Sequence, residues 1–519
     1  MRAVSIFSHD HPFYPVHITL NVILTSFFAI ITTISTTISS TAIQGELALS
    51  NTEALWLTTL NLLGLNIMVP AANWFANQYG IHRTYTMGVA IYTVATLIAG
   101  LSTNFPMIAT SRLIEGVGAG FIFPVGLSLI AQSVSKERTP LAINLYIGIA
   151  FGLGLAVGTT FAGYSSQFSS WRDIFFIITP LTTLAAMSCW SCRPPHPTLH
   201  QSPFDLWGFL SFAIFFSTLL VALTLAPIRS TPQGWVTPYI LLLFAIAALA
   251  FAVLVLVESR HPNPMFPLHL FKDPIFSVSS AAIFLLGMSV FASVSVIVQY
   301  MLNGLAYERF IIGKIAALYG IFIGLFSMIA NGLTKIIPVP ILTFSGLFLL
   351  SFSFFYNNEL SWLTGYKQVN LILLIRGIGI GLSLGPTTLM ALQGVPAGPD
   401  KSAAATILTF FRQVGGTYGS TLIAIFSIRR TIFHTARFAE QVNPELPAYK
   451  YTYQNLLDQF SDPLQAKLAI IKNITTQAGI QGLNDGLFIF GWVTLIVACI
   501  LIILIGYKAI KKRIQLPHK

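Results

Sequence analysis

The sequence contains few charged residues. Asp, Glu, Lys and Arg together make up 9% of the 519 residues, whereas about 25% is usual for a soluble domain. A soluble chain of this length would form two or more domains with polar surfaces, and this chain has too few charged side chains to cover them. Because 55% of the residues are hydrophobic, we expect most of the chain to lie in lipid.

Cysteine is scarce as well. The three cysteines are Cys189, Cys192 and Cys499, which are too few for a disulfide framework. Cys189 and Cys192 form a CxxC pair, but no second pair completes a zinc site. The HDH stretch with His9 and His11 is more typical of a solvated tail than of a metal site. The sequence therefore predicts neither a structural disulfide nor a bound metal.

Motifs for enzymatic chemistry are also missing. There is no G-x-x-x-x-G-K-[ST] phosphate loop for ATP, no H-E-x-x-H zinc motif and no G-x-S-x-G motif in a plausible setting. The net charge is +11, but no long Lys/Arg run indicates nucleic acid, and in a membrane protein such charges set orientation and contact headgroups. We therefore expect no enzyme activity, no cofactor and no nucleic-acid partner.

Long apolar runs are the main feature of the sequence. A transmembrane helix needs about 20 mostly apolar residues, and the first such run is too long for the core of a signal peptide. The pattern predicts an all-α integral membrane protein with fourteen transmembrane helices, near 16–43, 54–76, 84–104, 107–133, 141–164, 172–190, 204–226, 236–257, 275–303, 311–331, 336–356, 369–394, 403–427 and 486–507.

An even number of spans places both termini on one side of the membrane. If that side is the cytoplasm, the inner segments contain fourteen Lys and Arg residues and the short outer segments contain seven. This bias predicts cytoplasmic N- and C-termini. Segment 428–485 is then a sizeable extracytoplasmic excursion, which its pattern predicts to be partly helical.

Glycines recur along the chain at a constant offset of 261 residues. A parallel repeat of this kind is typical of transporters in which two six-helix halves rock about a central site. We therefore expect an N-terminal half at 1–195, two linking helices at 196–262 and a C-terminal half at 263–519. The repeated glycines are Gly116 and Gly377, Gly118 and Gly379, Gly120 and Gly381, Gly154 and Gly415, and Gly158 and Gly419.

Several stretches resemble motifs of the major facilitator superfamily, specifically its fourteen-helix drug:proton antiporter branch. RLIEGVGAG, from Arg112, is similar to the fourth-helix motif, with Glu115 where glutamine is usual. GLAVGTTFAG at 154–163 is similar to the fifth-helix antiporter motif. WRDIFFI at 171–177 and FDLWG at 204–208 are similar to marks of the next two helices. The resemblance implies the fold of that superfamily and a proton-coupled secondary transporter of the multidrug-efflux type.

Two family motifs lack their aspartate here. In the first-helix motif at 34–44, Ser35 stands where the family has aspartate. In the loop motif at 73–83, Gly80 and Arg83 match, but Asn77 replaces an aspartate. Gly80, Arg83 and Asn77 are therefore candidates for a conformational role without an acidic group.

Arg112 and Glu115 are the leading candidates for proton coupling. An intramembrane carboxylate is costly and usually faces the protein interior, and these residues lie one helical turn apart on the same face. A nearby arginine lowers the proton affinity of a carboxylate and burial raises it, so a change in solvent access would act as a proton switch. A purely structural ion pair that holds the fourth helix is the alternative.

Other polar residues are candidates for the substrate cavity. Arg412 lies within a span with no acid within four residues, so we expect it to pair with a carbonyl, a distant carboxylate or an anionic substrate group, or to snorkel. Gln299 and Asn303 are polar residues on a helix expected to line the cavity, and Ser35 and Thr36 lie in the first-helix motif.

The glycines of the fifth helix have a separate expected role. Small residues let helix backbones approach closely. Gly154, Gly158 and Gly163 are therefore expected to pack this helix against the other half and to seal the pathway during the conformational change. Ordinary close packing is the alternative.

The favoured function is a secondary exporter in the bacterial inner membrane that moves a small amphipathic or hydrophobic compound outward against proton entry. The resemblance also implies a possible periplasmic adaptor and an outer-membrane channel as partners. One alternative is a dedicated exporter or importer of one metabolite, such as a siderophore-like compound. Another is a non-transporting membrane sensor or scaffold that uses 428–485 for interaction.

Overall fold

A computed structural model describes residues 13–135, 137–191, 203–226, 235–261, 265–305, 307–361, 363–395 and 399–514. These parts of the chain are helical with short connections and contain no strand. The first seven helices are α1 (Tyr14–Glu46), α2 (Asn51–Tyr79), α3 (Ile81–Gly100), α4 (Phe105–Ser133), α5 (Thr139–Tyr146), α6 (Gly154–Phe168) and α7 (Asp173–Trp190).

A π-helical segment, Ile147–Leu153, joins α5 and α6 into one continuous span. A second π-helical segment, Tyr300–Gly304, follows α10. The remaining helices are α8 (Leu206–Leu225), α9 (Pro238–Arg260), α10 (Pro274–Gln299), α11 (Arg309–Leu333), α12 (Val339–Tyr356), α13 (Tyr366–Gln393), α14 (Pro399–Gln441), α15 (Pro447–Phe460) and α16 (Pro463–Ile514).

Twelve spans in the described residues are long and apolar enough to cross a membrane. The helices α3 and α14 do not reach that threshold, but they pack inside the same bundle and complete a set of fourteen. The predicted all-α membrane fold with two six-helix halves and two linking helices is therefore confirmed. The span at 311–331, which Lys314 and Asn331 flank, is part of α11 and meets the criterion.

Local sequence signals explain where several helices begin and end. The Ser50 hydroxyl accepts a hydrogen bond from the backbone N–H of Glu53, and the Glu53 carboxylate accepts one from the backbone N–H of Ser50, so that a capping box begins α2. Asn104 caps α4 by accepting from the backbone N–H of Met107 at 3.0 Å. Gly80 ends α2 with φ of 90°, a backbone conformation that favours glycine, and this allows α3 to start at the next residue.

The glycine repeat is also a repeat of helix contacts. Because glycine has no Cβ, its neighbours can approach closely: a Cβ built on Gly116 would lie 2.0 Å from the carbonyl oxygen of Asn61 on α2. On α13, the equivalent atom on Gly377 would lie 2.8 Å from the carbonyl oxygen of Tyr319 on α11. Thus α4 packs on α2 and α3 as α13 packs on α11 and α12.

The linking helices lie beside this pair of halves. α8 and α9 pack mainly against each other, and α8 also contacts α2 of one half and α14 of the other. The side of the bundle that holds Tyr14 and Ile514 is called the terminus side below. The opposite side is called the distal side.

The segment 428–485 is more helical than the sequence pattern indicated. The helices α14 and α16 do not stop at the predicted ends of their spans but continue on the distal side, where α15 lies between them. Asp485 accepts hydrogen bonds from Arg430 at 2.5 Å and His434 at 2.7 Å. These contacts hold the two extended helices together beyond the apolar part of the bundle.

Candidate substrate cavity and buried charges

A cavity of about 680 Å³ lies between the two halves. Its wall comes from α1, α2 and α8 on one side and from α10, α14 and α16 on the other. Threonine and serine hydroxyls, such as those of Thr58 and Ser420, alternate with aliphatic side chains such as Leu55 and Ile425. Among the described residues, no Asp, Glu, Lys or Arg lines this cavity, so its wall is neutral and amphipathic.

The cavity opens toward the distal side. Its α1 residues, Thr37 to Gln44, belong to the last turns of that helix, and its α2 residues belong to the first turns. At its mouth, Thr41 and Leu55 are exposed. The cavity therefore ends within the bundle and does not reach the terminus side.

The structure places the predicted cavity residues differently. Gln299 lines the cavity and is exposed to it. The side chain of Asn303 lies outside the described residues. Ser35 and Thr36 were expected in the cavity but do not line it: Ser35 donates to the carbonyl of Gly158 at 3.1 Å, and Thr36 donates back to its own helix. The reason is helical periodicity, because the α1 face that meets the cavity begins at Thr37.

An asparagine forms the floor of the cavity. Asn66 on α2 is fully buried, and its side-chain amide donates to the hydroxyl of Thr417 on α14 at 2.7 Å. Since Thr417 and Leu62 line the cavity, this bond between the halves closes the cavity at its inner end. Sequence reasoning missed Asn66, although a lone amide in the middle of an apolar span was a usable signal.

Arg412 lies one to two turns below that floor. It is 6% exposed, and its guanidinium carbon is 4.4 Å from the ring centroid of Phe151 in the opposite half. Two of its nitrogens, Nε and Nη2, have no hydrogen-bond partner in the described structure. The neighbouring Gln413 is 1% exposed, and neither atom of its amide is bonded there. Sequence reasoning found Arg412 but missed Gln413.

Arg112 and Glu115 form an ion pair inside the N-terminal half. Both side chains are 0% exposed, and Nη1 of Arg112 donates to a Glu115 carboxylate oxygen at 2.5 Å. The other carboxylate oxygen and Nη2 of Arg112 have no partner in the described part of the chain. Neither residue lines the cavity. The carboxylate is therefore shielded from lipid as well as from the cavity in this conformation.

Arg376 is the third buried arginine in the two halves, and neutral groups surround it. It donates to Asn357 at 2.6 Å and to the hydroxyls of Ser293 and Ser353 at 3.2 Å each. Its guanidinium also lies 4.6 Å from the ring centroid of Phe354. Unlike Arg412, Arg376 therefore has a hydrogen-bond acceptor at each of its three nitrogens, and none of them is an acid.

The glycines of the fifth span pack against two different partners, which corrects one expectation. Gly154 and Gly158 do not contact the other half but lie against α1, near Ile30 and Ile31. Gly163 does face the other half, where an added Cβ would lie 2.6 Å from the carbonyl oxygen of Arg309. The antiporter-like motif therefore joins α6 to its own half at one end and to α11 at the other.

The backbones of the two halves also approach closely in the π-helical segment. A Cβ built on Gly152 would lie 2.5 Å from the Cα of Gly324 on α11, and one on Gly320 would lie 2.6 Å from the Gly152 carbonyl oxygen. The wider turn of a π-helix is common at functional sites. Sequence reasoning did not identify this glycine seam, which runs from Gly148 to Gly163.

The loop-motif residues lie on the terminus side. Gly80 is buried at the turn between α2 and α3, whereas Asn77 and Arg83 are exposed. The asparagine that joins the halves in this region is Asn73, which donates to the hydroxyl of Thr406 on α14. The side chains of Asn144 and Asn331 also meet there at 3.2 Å. Contacts between the halves therefore close the terminus side.

Comparison with known proteins agrees with this architecture. A crystal structure of a bacterial homolog to the human lysosomal transporter Spinster, in an inward-facing and unoccupied conformation, superimposes with a TM-score of 0.55. That alignment covers 94% of this chain and 96% of the other, at 14% sequence identity. The likeness supports the fold.

Curated sequences are similar over nearly the whole chain. The multidrug export protein EmrB of Haemophilus influenzae is 23% identical over 90% of this chain and 91% of its own length. The fatty acid resistance protein FarB of Neisseria gonorrhoeae is 24% identical over 92% of this chain and 94% of its own length. The family model of the Major Facilitator Superfamily matches residues 20–420. The chain is therefore a multi-pass membrane transporter that belongs to the Major Facilitator Superfamily.

Proposed function

We propose that this transporter is a proton-coupled exporter of small amphipathic or hydrophobic compounds in the inner membrane. The observation that carries the proposal is the cavity of about 680 Å³ between the halves, closed on the terminus side and open on the distal side. Pockets of several hundred Å³ accommodate small organic molecules. Such a cavity suits a solute that is released on one side of a membrane.

The lining supports an amphipathic solute. Hydroxyls and two amides, those of Gln44 and Gln299, offer hydrogen bonds, while leucine and isoleucine side chains offer apolar contact. The names of two similar proteins, which refer to multidrug export and to fatty acid resistance, are consistent with such substrates. The excess of Lys and Arg on the terminus side supports cytoplasmic termini, and the open cavity then faces outward.

Glu115 supplies the protonatable group in this proposal. A series of polar groups runs from the cavity to the backbone of Arg112, the ion-pair partner of Glu115: the Thr37 hydroxyl, which lines the cavity, contacts the Thr33 carbonyl at 3.4 Å, and the Thr33 hydroxyl donates to Asn61 at 3.0 Å. The Asn61 amide in turn donates to the Arg112 carbonyl at 3.3 Å. A small shift of α2 relative to α4 would open this polar layer to water and expose the ion pair to protons.

The long helices α14 and α16, with α15 between them, project on the distal side. In the proposed orientation they face the periplasm. They are therefore the part of the chain that would meet a periplasmic adaptor, and through it an outer-membrane channel.

Purified protein in liposomes with an imposed pH gradient tests the function. We expect addition of an amphipathic probe such as ethidium to produce proton flux that is absent in protein-free liposomes. A narrow substrate range would instead favour a dedicated metabolite transporter. Absence of solute-dependent proton flux with every probe, together with a bound partner on 428–485, would favour a membrane scaffold.

A further inference from the structure

The two halves of the bundle contain an excess of buried positive charge. Their described buried side chains include three arginines, Arg112, Arg376 and Arg412, but only one acid, Glu115. Glu115 is bonded to Arg112, and neutral oxygens surround Arg376. Arg412 is the arginine of this set that lacks hydrogen-bond acceptors at both Nε and Nη2.

A structural role does not account for Arg412. A buried guanidinium that only stabilises helix packing needs hydrogen-bond acceptors at its nitrogens, and Arg376 shows that this bundle can provide one at each of the three. Snorkelling is also unsuitable, because Arg412 lies thirteen residues from Pro399, the start of α14, which is about 20 Å along a helix. Two groups of the opposite half lie near Arg412: the Phe151 ring, which accepts no conventional hydrogen bond, and the Tyr146 hydroxyl, which is close enough for an electrostatic interaction but forms no hydrogen bond in the described structure.

Gln413 provides a second unpaired donor beside the cavity. On α14 the cavity is lined by Thr417, Ser420, Thr421 and Ala424, and Gln413 is one helical turn before Thr417 on the same face. Its amide is buried and has no partner at either atom. The unpaired guanidinium and amide therefore lie directly beneath the floor that Thr417 and Asn66 form.

We propose that Arg412 and Gln413 bind the carboxylate of an amphipathic solute, which reaches them when the Asn66–Thr417 bond of the floor opens, while its apolar part stays in the cavity. A guanidinium and a carboxylate form paired, charge-assisted hydrogen bonds, and the Gln413 amide adds a further donor. The neutral wall above contributes the apolar contact. This inference rests on the proposed transport function and specifies its substrate class.

Three matched probes test it with the full-length protein in detergent. Naphthylacetate, naphthylacetamide and naphthylethylamine share one ring and differ in charge, and their binding is measured by calorimetry. We expect the wild-type protein to bind the carboxylate about tenfold more tightly than the amide or the amine, as is typical for a charge-assisted hydrogen bond. Equal binding of the three probes, or no binding of any, would overturn the proposal.

Substitutions show which residue causes the preference for the carboxylate probe. In Arg412→Gln the affinity for naphthylacetate should fall to that for naphthylacetamide, whereas unchanged amide binding shows that the cavity is intact. Arg429→Gln, at an exposed position of the same helix, should keep the carboxylate preference. A carboxylate preference that survives in Arg412→Gln would refute the assignment.

If Arg412→Gln does not yield folded protein, Arg412→Lys and Gln413→Ala carry the test. Arg412→Lys keeps the charge but loses the planar fork, so its carboxylate preference should be weaker and still present. Gln413→Ala should lower carboxylate affinity severalfold and leave amine affinity unchanged. Equal effects on all three probes would again overturn the proposal.

The flux assay with ethidium separates this inference from the function on which it rests. Ethidium-dependent proton flux without any carboxylate preference would refute the anion site and support the proposed export function. Preferential binding of the carboxylate without proton flux for any solute would support the anion site and refute the proposed export function.

Discussion

Equivalent helices of the two halves differ at one position deep in the bundle. Glu115 on α4 corresponds through the 261-residue repeat to Arg376 on α13, and both side chains are fully buried. Glu115 is bonded to Arg112 on its own helix, whereas Arg376 is held by neutral partners from α10, α12 and the turn after α12. One half therefore holds an ion pair, and the other holds a cation stabilised by dipoles.

The backbone does not cause this difference. The next residue in each half is a glycine, Gly116 or Gly377, and both pack against a carbonyl of the equivalent neighbouring helix. A carboxylate can take up a proton, whereas a guanidinium stays charged at any physiological pH. At this position of the repeat, therefore, the N-terminal half has a side chain that can take up a proton, and the C-terminal half does not.

The largest expected effect of breaking this asymmetry is the loss of coupling in Glu115→Gln. Because glutamine cannot exchange a proton, the variant should lose pH-driven transport at least tenfold and still bind substrate. The measurement is substrate accumulation in proteoliposomes with and without a pH gradient. A variant that still concentrates substrate under the gradient would show that coupling lies elsewhere.

The double variant Arg112→Gln/Glu115→Gln distinguishes coupling from a structural ion pair. If the pair only holds α4 in place, removing both charges should restore transport, because no unpaired charge remains. If Glu115 carries the proton, the double variant should be stable and uncoupled.

Stability should show the same asymmetry with a smaller effect. Glu115→Gln leaves Arg112 buried without a counter-ion, which typically costs about 3–5 kcal/mol. Arg376→Gln removes a cation and leaves only neutral groups such as Asn357 unpaired, at about 1–3 kcal/mol. Thermal unfolding of both variants in the same detergent shows which of them loses more stability. A lower apparent melting temperature for Arg376→Gln than for Glu115→Gln would contradict the expected order.

Much of the fold was accessible from sequence, because membrane spans and their packing leave periodic signals. Apolar length predicts the spans, and the register of Gly116 with Gly377 predicts the two equivalent halves. The ends of α14 and α16 were not accessible in this way, since these helices continue into polar sequence beyond the bilayer. Hydropathy marks the end of the apolar segment but not the end of the helix.

The candidate site was less predictable. Arg412 stands out as a charge within a span, but whether it has partners depends on helices far away in sequence, such as the one that carries Phe151. The same limit explains the expectation for Gly154, whose G-x-x-x-G spacing indicates close packing without naming the partner. The sequence indicated which residues are unusual, and the packing determined what each of them faces.

Glycine substitutions test the backbone equivalence of the halves. Gly116→Ala and Gly377→Ala should both lower stability, by about 1–3 kcal/mol, because each added methyl group meets a carbonyl oxygen. The effect should be larger for Gly116, where the approach is 2.0 Å, than for Gly377, where it is 2.8 Å. Gly332→Ala is the control, since an added Cβ there would have nothing within 4 Å. Equal melting temperatures of all three variants would argue against the packing.

The smallest expected effect concerns the closure of the terminus side. Asn73 on α2 donates to Thr406 on α14, and Asn73→Ala removes this bond between the halves, which is worth about 1 kcal/mol. The population open to the terminus side should then rise about fivefold. A cysteine introduced as Thr409→Cys, at a buried position in protein whose native cysteines are replaced by serine, reports this opening through its alkylation rate.

The matched control for closure is Asn77→Ala, one turn further along α2 at an exposed position. It should leave the alkylation rate of the Thr409→Cys reporter unchanged. If both variants change the rate equally, the Asn73 bond does not hold the halves together. Faster alkylation in Asn73→Ala alone would show that a single amide–hydroxyl contact between the halves biases which side of the membrane the cavity faces.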